Sequence, residues 1–149
     1  VLIIFIYTGL AMSCDKDDDN TQQQQSTTIS QTINTAQSGS WKITYFFDSD
    51  HEETSNFTGY VFTFNENGAL VAVKGSTTVT GTWSVTDSNS SDDDGGSNDT
   101  DFNIFFASPA DFEDLSDDWD IISVSNSKIE LTDVSGGNGG TDFLTFEKL

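Results

Sequence analysis

Residues 39–47 read Gly-Ser-Trp-Lys-Ile-Thr-Tyr-Phe-Phe, a small and turn-prone start followed by a strongly aromatic run. Large apolar side chains recur there at every second position: Trp41, Ile43, Tyr45 and Phe47. Because side chains of a strand alternate between its two faces, these four are expected to line one side of a strand. The stretch therefore predicts a first β-strand around which a sheet closes.

The residues after position 47 predict seven more strands joined mostly by short turns. They are expected at 57–64, 69–74, 77–85, 102–106, 119–125, 128–133 and 141–148. Between the fifth and sixth strands the pattern changes at 109–115, where Phe112 and Leu115 lie three apart, which predicts a short helical insert. An all-β, up-and-down barrel of eight antiparallel strands satisfies this order and leaves no free edge. A two-sheet sandwich is the alternative.

The aromatic residues of the predicted strands have two interpretations. An eight-stranded barrel is just wide enough for side chains to fill it or for one small ligand to enter. The aromatic side chains therefore either form a packed core or surround a ligand. The candidates for the barrel interior and for ligand contact are Trp41, Tyr45, Phe62, Phe64, Trp83, Phe102, Phe106 and Trp119.

The charge of the chain restricts its partners. The formal net charge is -20, and the five basic residues are all lysine. Such a surface repels phosphate backbones, so nucleic acid is not expected as a partner. It also argues against adhesion to anionic lipid through a basic patch.

No cofactor or catalytic set is expected from the residue patterns. The only histidine, His51, stands in a polar stretch that offers too few ligands for a zinc site. The acids lie mainly in loops, away from any apolar pocket in which paired carboxylates could act. The glycine-rich segment 136–140 lacks the spacing of a phosphate-binding loop. The chain is therefore not expected to be an enzyme.

The N-terminal residues resemble the export signal of a bacterial lipoprotein. Residues 1–12 form a short apolar run that fits a signal peptide better than a membrane span, with the charged leader outside this sequence. The run ends in Ala-Met-Ser-Cys, which resembles a bacterial lipobox with Ala11 in the usual leucine position. We expect a signal peptide at 1–13 and acyl chains such as palmitate on Cys14. An ordinary signal peptide with an incidental cysteine is the alternative.

The residues after Cys14 predict a surface location. A lysine followed by acids, Lys16, Asp17 and Asp18, resembles the surface-export signal of Bacteroidota-type lipoproteins. We therefore expect a lipid-anchored protein of the outer membrane, exposed on the cell surface. Residues 14–38 are rich in Gln, Ser and Thr and are expected to be a flexible tether, with a short helix over 29–37 as the alternative.

An Asp-rich segment at 86–100 superficially resembles a calcium-binding loop. It fails the EF-hand pattern, because the positions that require glycine and the closing glutamate hold Asp92 and Asn98. A disordered loop is expected, and a looser calcium site is the alternative. The candidate ligands are Asp92, Asp93 and Asp94.

Two Gly-x-Trp motifs carry a family resemblance over roughly residues 38–149. Gly39-Ser40-Trp41 opens the first strand, and Gly81-Thr82-Trp83 opens a second Trp-bearing segment. This order resembles the lipocalins, and more closely the lipocalin-like domain of Bacteroidota-type lipoproteins. The chain departs from true lipocalins because its single cysteine permits no internal disulfide and because the Thr-Asp-Tyr motif is missing.

The resemblance implies a monomeric, non-enzymatic module at 39–149 that binds a small apolar or amphipathic ligand at the barrel mouth. The alternative is an interaction module with a filled barrel. It would contact a protein or glycan through the acidic loops 92–101 and 111–120, with or without bound calcium.

Overall fold

A computed structural model describes residues 19–87, 100–135 and 139–149, with side chains from residue 28 onward. Several residues predicted to have a role therefore lie outside the described part of the chain. They are the signal peptide at 1–13, the lipidation site Cys14, the export signal Lys16, Asp17 and Asp18, and the calcium candidates Asp92, Asp93 and Asp94.

The described chain is mainly β-structure, with two helices and one 3-10 turn at Thr54–Phe57. The helices are α1 (Asp19–Gln37) and α2 (Ala110–Glu113). The strands are β1 (Trp41–Asp48), β2 (His51–Glu52), β3 (Val61–Phe64), β4 (Ala69–Lys74), β5 (Thr77–Asp87), β6 (Thr100–Phe105), β7 (Asp117–Val124), β8 (Lys128–Val134) and β9 (Thr141–Lys148).

The strands form one closed antiparallel barrel. Each strand from β3 to β9 pairs with the next along the chain, and β9 pairs with β1 to close the sheet. β1 also meets β3 through the single pair Trp41 and Phe62. The short β2 is an extra strand that folds back on the end of β1. The predicted eight-stranded up-and-down barrel is therefore confirmed, with α2 as its helical insert, and the sandwich is wrong.

A β-bulge in β1 reverses the faces predicted for its second half. The register against β9 shifts between Ile43 and Tyr45. An extra residue in one strand moves the following side chains to the opposite face. Phe46 is consequently fully buried, whereas Tyr45 is 42% exposed. The prediction that Tyr45 faces the interior is wrong.

The segment before β3 is not extended as predicted. Strand structure was expected from residue 57, but the 3-10 turn ends at Phe57 and β3 begins at Val61. Gly59 lies between them with a φ of 86°, a conformation that interrupts an extended strand. Phe57 is still buried, so the turn contributes its aromatic side chain to the core.

Helix α1 replaces the predicted flexible tether over residues 19–37. Ile29, Ile33 and Ala36 share one helical face and pack against the core. The buried indole N–H of Trp41 donates a hydrogen bond of 2.8 Å to the carbonyl of Ala36. The alternative of a helix over 29–37 is therefore confirmed and the spacer without structure is wrong for 19–37, because the few apolar side chains find partners on the barrel. No helix in the described part of the chain is long and apolar enough to cross a bilayer.

The two ends of the barrel differ. Helix α1 leads into the start of β1 and contacts β3 and β5, and this end is called the α1 end. The opposite end carries the connections 49–60, 75–76 and 106–116 and the ends of β8 and β9 at residues 134 and 141, and is called the α2 end. The candidate sites described below are distributed between these two ends and the outer wall.

Candidate functional site

The barrel interior is a packed aromatic core. Seven of the eight predicted interior residues are buried, with exposed fractions of 0–6%, and only Tyr45 is not. Phe64 is a centre of this packing. Its ring meets those of Trp83, Phe102 and Phe146 edge to face, with centroid distances of 5.1, 5.5 and 5.3 Å. Such ring pairs stabilise the fold beyond the area that they bury.

Helix α2 adds an aromatic side chain to the same core. The ring of Phe112 lies 5.3 Å from Phe57, 5.1 Å from Tyr60 and 5.0 Å from Phe106, centroid to centroid. It also contacts Phe62 at 6.1 Å. Phe112 is only 2% exposed. Helix α2 therefore closes the α2 end of the barrel with the side chain of Phe112.

The three tryptophans make their polar contacts within the protein. The indole N–H of Trp83 donates to the carbonyl of Asn65 at 3.0 Å. That of Trp119 donates to the carbonyl of Leu115 at 3.1 Å, and that of Trp41 is bonded to α1. Buried indoles usually find such a partner. These donors connect strands to turns and helices, so they are not free to orient a ligand.

A cleft of about 600 Å³ opens at the α1 end, between α1 and β7. This is within the usual size range of small-molecule sites. None of the eight predicted aromatic residues lines it. Its walls are formed by hydroxyl, amide and aliphatic side chains: Thr28, Gln31, Thr32, Asn34, Thr35, Thr100, Ile121, Ile122, Ser123, Val124, Ser125 and Asn126.

The cleft joins an apolar floor to a polar rim. Ile121 and Val124 are partly buried and pack against the core, so they form the floor. Ile122 lies within the β-bulge of β7 and is 55% exposed. The described lining contains no charged side chain, although Ser123 donates a 2.6 Å hydrogen bond to Glu130 beside it. That hydrogen bond, with help from Lys128, lowers the pKa of Glu130.

Acidic residues concentrate at the α2 end. The carboxylate oxygens of Asp117, Asp133 and Asp142 lie within 4.8 Å of one another. Partial burial, a hydrogen bond with Asp118 and repulsion from Asp133 raise the pKa of Asp117 to about 6. Asp142 accepts a 2.6 Å hydrogen bond from the backbone N–H of Ser49. The Asp117 carboxyl group therefore binds a proton more readily than an ordinary surface carboxylate does.

Replacing Asp117 with asparagine is expected to reduce the pH dependence of stability. A carboxyl group whose pKa is higher in the folded state favours folding as the pH falls through 6, and opposes it above. Solvent screening limits the effect of Asp117→Asn at pH 8 to about 1 kcal/mol of added stability, with little difference at pH 4, near the ordinary pKa of an aspartate. Urea unfolding at both pH values measures this.

The matched control is Asp111→Asn, which removes the same charge from an exposed position on α2. It relieves only the general repulsion of an acidic chain. If the free energy of unfolding depended on pH in the same way in both variants, the raised pKa of Asp117 would not be the source of the pH dependence.

A second acidic group lies beside His51, the only histidine of the chain. Asp48, Glu53 and Asp114 also bring carboxylate oxygens within 4.8 Å of one another. His51 in β2 hydrogen-bonds Asp50 and Glu53, and these bonds raise its pKa. The other carboxylate oxygen of Glu53 is buried without a hydrogen-bond partner in the described structure. His51 stays exposed to solvent while it takes part in a hydrogen-bonded hairpin.

No protein-family model matches this chain, and no curated protein matches it. A functional assignment therefore depends on the residues themselves. The cleft is the feature that sequence reasoning missed. Its walls come mainly from two segments that are far apart in the chain, 28–35 on α1 and 121–126 on and after β7, with Thr100 beside them. Only the docking of α1 brings these segments together. The weak signal in the sequence was the apolar spacing of Ile29, Ile33 and Ala36.

Proposed function

We propose that this chain is a lipid-anchored, non-enzymatic binding protein of the outer membrane, displayed on the cell surface. Its ligand site is the cleft between α1 and β7, and its ligand is a small, neutral, amphipathic molecule. The observation that carries this proposal is a cleft whose described lining is uncharged, in a chain with a net charge of -20.

The packing of the barrel favours the cleft over the interior as the ligand site. The interior aromatic rings contact one another, and their indole N–H groups are bonded to backbone carbonyls. The cleft instead combines partly buried aliphatic side chains with hydroxyl and amide groups at its rim. Small-molecule sites typically combine an apolar wall with a few polar groups that fix orientation.

The charge distribution supports a neutral ligand. An anion would be repelled by the strongly acidic chain. An organic cation would find no carboxylate among the described residues that line the cleft. Burying an unpaired charge there would be costly, whereas hydroxyl groups of a ligand can exchange hydrogen bonds with Gln31 and Asn34. The same lining offers no titratable group for acid–base catalysis, which supports a binding role.

The geometry of α1 supports anchoring close to the membrane. The helix begins five residues after Cys14 and has 19 residues, so it is about 28 Å long. Its last turn is bonded to Trp41, and Lys148 donates a 2.7 Å hydrogen bond to Ser38. A lipid on Cys14 would therefore hold the barrel through a helix that also forms one wall of the ligand site.

Native mass spectrometry of the Cys14→Ser chain tests this proposal. Loss of the lipid is expected to move the protein from the membrane fraction to the soluble fraction. The purified protein is expected to retain the neutral detergent octyl glucoside and not octyl sulfate of the same chain length. Asn34→Trp would fill the cleft and weaken octyl glucoside binding at least about tenfold, a loss of roughly 1.4 kcal/mol.

Asn56→Trp is the matched control. Asn56 is exposed, as Asn34 is, but lies in the 3-10 turn at the α2 end. This variant should bind octyl glucoside as the parent does. Equal binding by both Trp variants would place the ligand elsewhere, and a preference for octyl sulfate would contradict the neutral ligand. A Cys14→Ser chain that stays with the membrane would contradict the anchor.

A further inference from the structure

Three aromatic side chains lie together on the outer wall of the barrel, on β1 and β9. Phe47 on β1 and Phe143 on β9 lie directly opposite each other in the antiparallel pair. Tyr45 lies two residues before Phe47, and the two rings are nearly parallel, at 13° and 6.5 Å between centroids. Residues that share a face in this way form a continuous surface. Tyr45, Phe47 and Phe143 are called the aromatic platform.

Packing within the sheet explains only part of this platform. Phe47 and Phe143 are half-buried and stabilise each other across the strands. Tyr45 is different, because the bulge turns it outward, its partner across the pair is Thr145, and it remains 42% exposed. An exposed ring that continues a stacked aromatic surface is a feature of interaction sites.

Acidic residues surround the platform on the side of the α2 end. Glu52 on β2 pairs directly with Phe47 and therefore shares its face, whereas Asp48, the next residue of β1, has its carboxylate beside Glu53 and Asp114. Asp142 precedes Phe143 and points to the opposite face of β9, where it joins Asp117 and Asp133, so it contributes only a nearby negative charge. On the opposite side lie Lys42 and Glu147, which face each other across β1 and β9. The charge around the aromatic platform is therefore predominantly negative.

We propose that the aromatic platform is a docking surface for an arginine-bearing peptide segment of a partner protein. A guanidinium group is planar, stacks on aromatic faces and pairs with carboxylates. The nearly parallel rings of Tyr45 and Phe47 supply a flat face for stacking, and Glu52, which pairs with Phe47, supplies a carboxylate on the same face. Charge complementarity with a chain of net charge -20 selects a basic segment over an acidic or neutral one.

This surface is separate from the cleft of the proposed function. The platform lies on β1 and β9 toward the α2 end, whereas the cleft lies between α1 and β7 at the α1 end. The two sites share no residue. A partner bound on the platform would therefore leave the cleft open, and each site can be tested while the other is intact.

Fluorescence anisotropy with a labelled peptide tests the proposal. The peptide carries two arginines separated by glycine–serine spacers, and the protein is the full chain with Cys14→Ser. The parent is expected to bind the arginine peptide more tightly than the same peptide with citrulline or with lysine. Tyr45→Ser is expected to weaken arginine-peptide binding about tenfold. Tyr45→Phe keeps the ring and is expected to bind as the parent does.

Phe105→Ser is the control for removing an exposed aromatic ring. Phe105 is 58% exposed, and its strand β6 pairs with β5 and β7, away from the platform. Its loss should leave peptide affinity unchanged, also at 0.5 M salt. The proposal is overturned if Tyr45→Ser binds as Phe105→Ser does, or if the lysine and arginine peptides bind equally, since affinity would then come from net charge alone. Thermal unfolding shows whether each variant remains folded.

Discussion

Replacing Phe112 with alanine is expected to lower the free energy of unfolding by about 3–5 kcal/mol. The ring is 2% exposed and packs against Phe57, Phe62 and Phe106. Its removal takes away buried apolar area and also leaves a cavity, because the surrounding barrel wall is held by strand pairing and can collapse only in part. Urea unfolding, followed by tryptophan fluorescence, measures the loss.

Phe105→Ala is the matched control, because it makes the same chemical change at a side chain that is 58% exposed. This variant is expected to lower the free energy of unfolding by less than about 1 kcal/mol, mainly because alanine has a lower β-strand propensity than phenylalanine. Similar losses in the two variants would mean that α2 does not close the barrel and that Phe112 is not part of its core. A large loss at Phe112 alone would support a barrel whose α2 end is sealed by the helical insert.

The strand order could be predicted because alternation is a local property. β9 begins and ends where the sequence predicted, and β4 does as well. Both combine alternating apolar residues with clear turn or loop signals on either side. The burial of Phe112 and Leu115 could also be predicted, since their spacing departs from the strand pattern. For such segments the local pattern and the tertiary structure agree.

The bulge in β1 could not be predicted in the same way. Tyr45, Phe46 and Phe47 are all large and aromatic, so either face of the strand could have been buried from this point on. The choice depends on the register with β9, about 100 residues further along the chain, where Leu144 faces Phe46. A one-residue shift exchanges the two faces, and only the long-range pairing decides it.

Helix α1 and the cleft depend on contacts between distant parts of the chain. The segment is rich in glutamine, serine and threonine, which gives little reason for a stable helix in isolation. Its docking depends on Ile29, Ile33 and the bond between Trp41 and Ala36. The cleft exists only because this helix lies beside β7, so its uncharged lining could not be recognised before the fold was known.

Replacing Gly81 with alanine is expected to destabilise the protein by about 2–3 kcal/mol. Gly81 lies inside β5 and opens the second Gly-x-Trp motif. A Cβ atom there would collide with the backbone carbonyl of Phe105 and come within 2.6 Å of the ring of Phe106. Neither neighbour can move freely, because the carbonyl belongs to the paired strand β6 and the ring is buried in contact with Phe112.

Gly39→Ala is the control, because it alters the first Gly-x-Trp motif without a rigid obstacle. A Cβ atom at Gly39 would meet only the flexible side chain of Lys148, whose Cε lies at 3.0 Å. The change is expected to stay within about 0.5 kcal/mol. Thermal and urea unfolding of the two variants compare the motifs directly. Equal effects would contradict the steric requirement for glycine at position 81. A loss at Gly81 alone would show that this glycine is required because two strands and the core aromatic side chains meet there without room for a side chain.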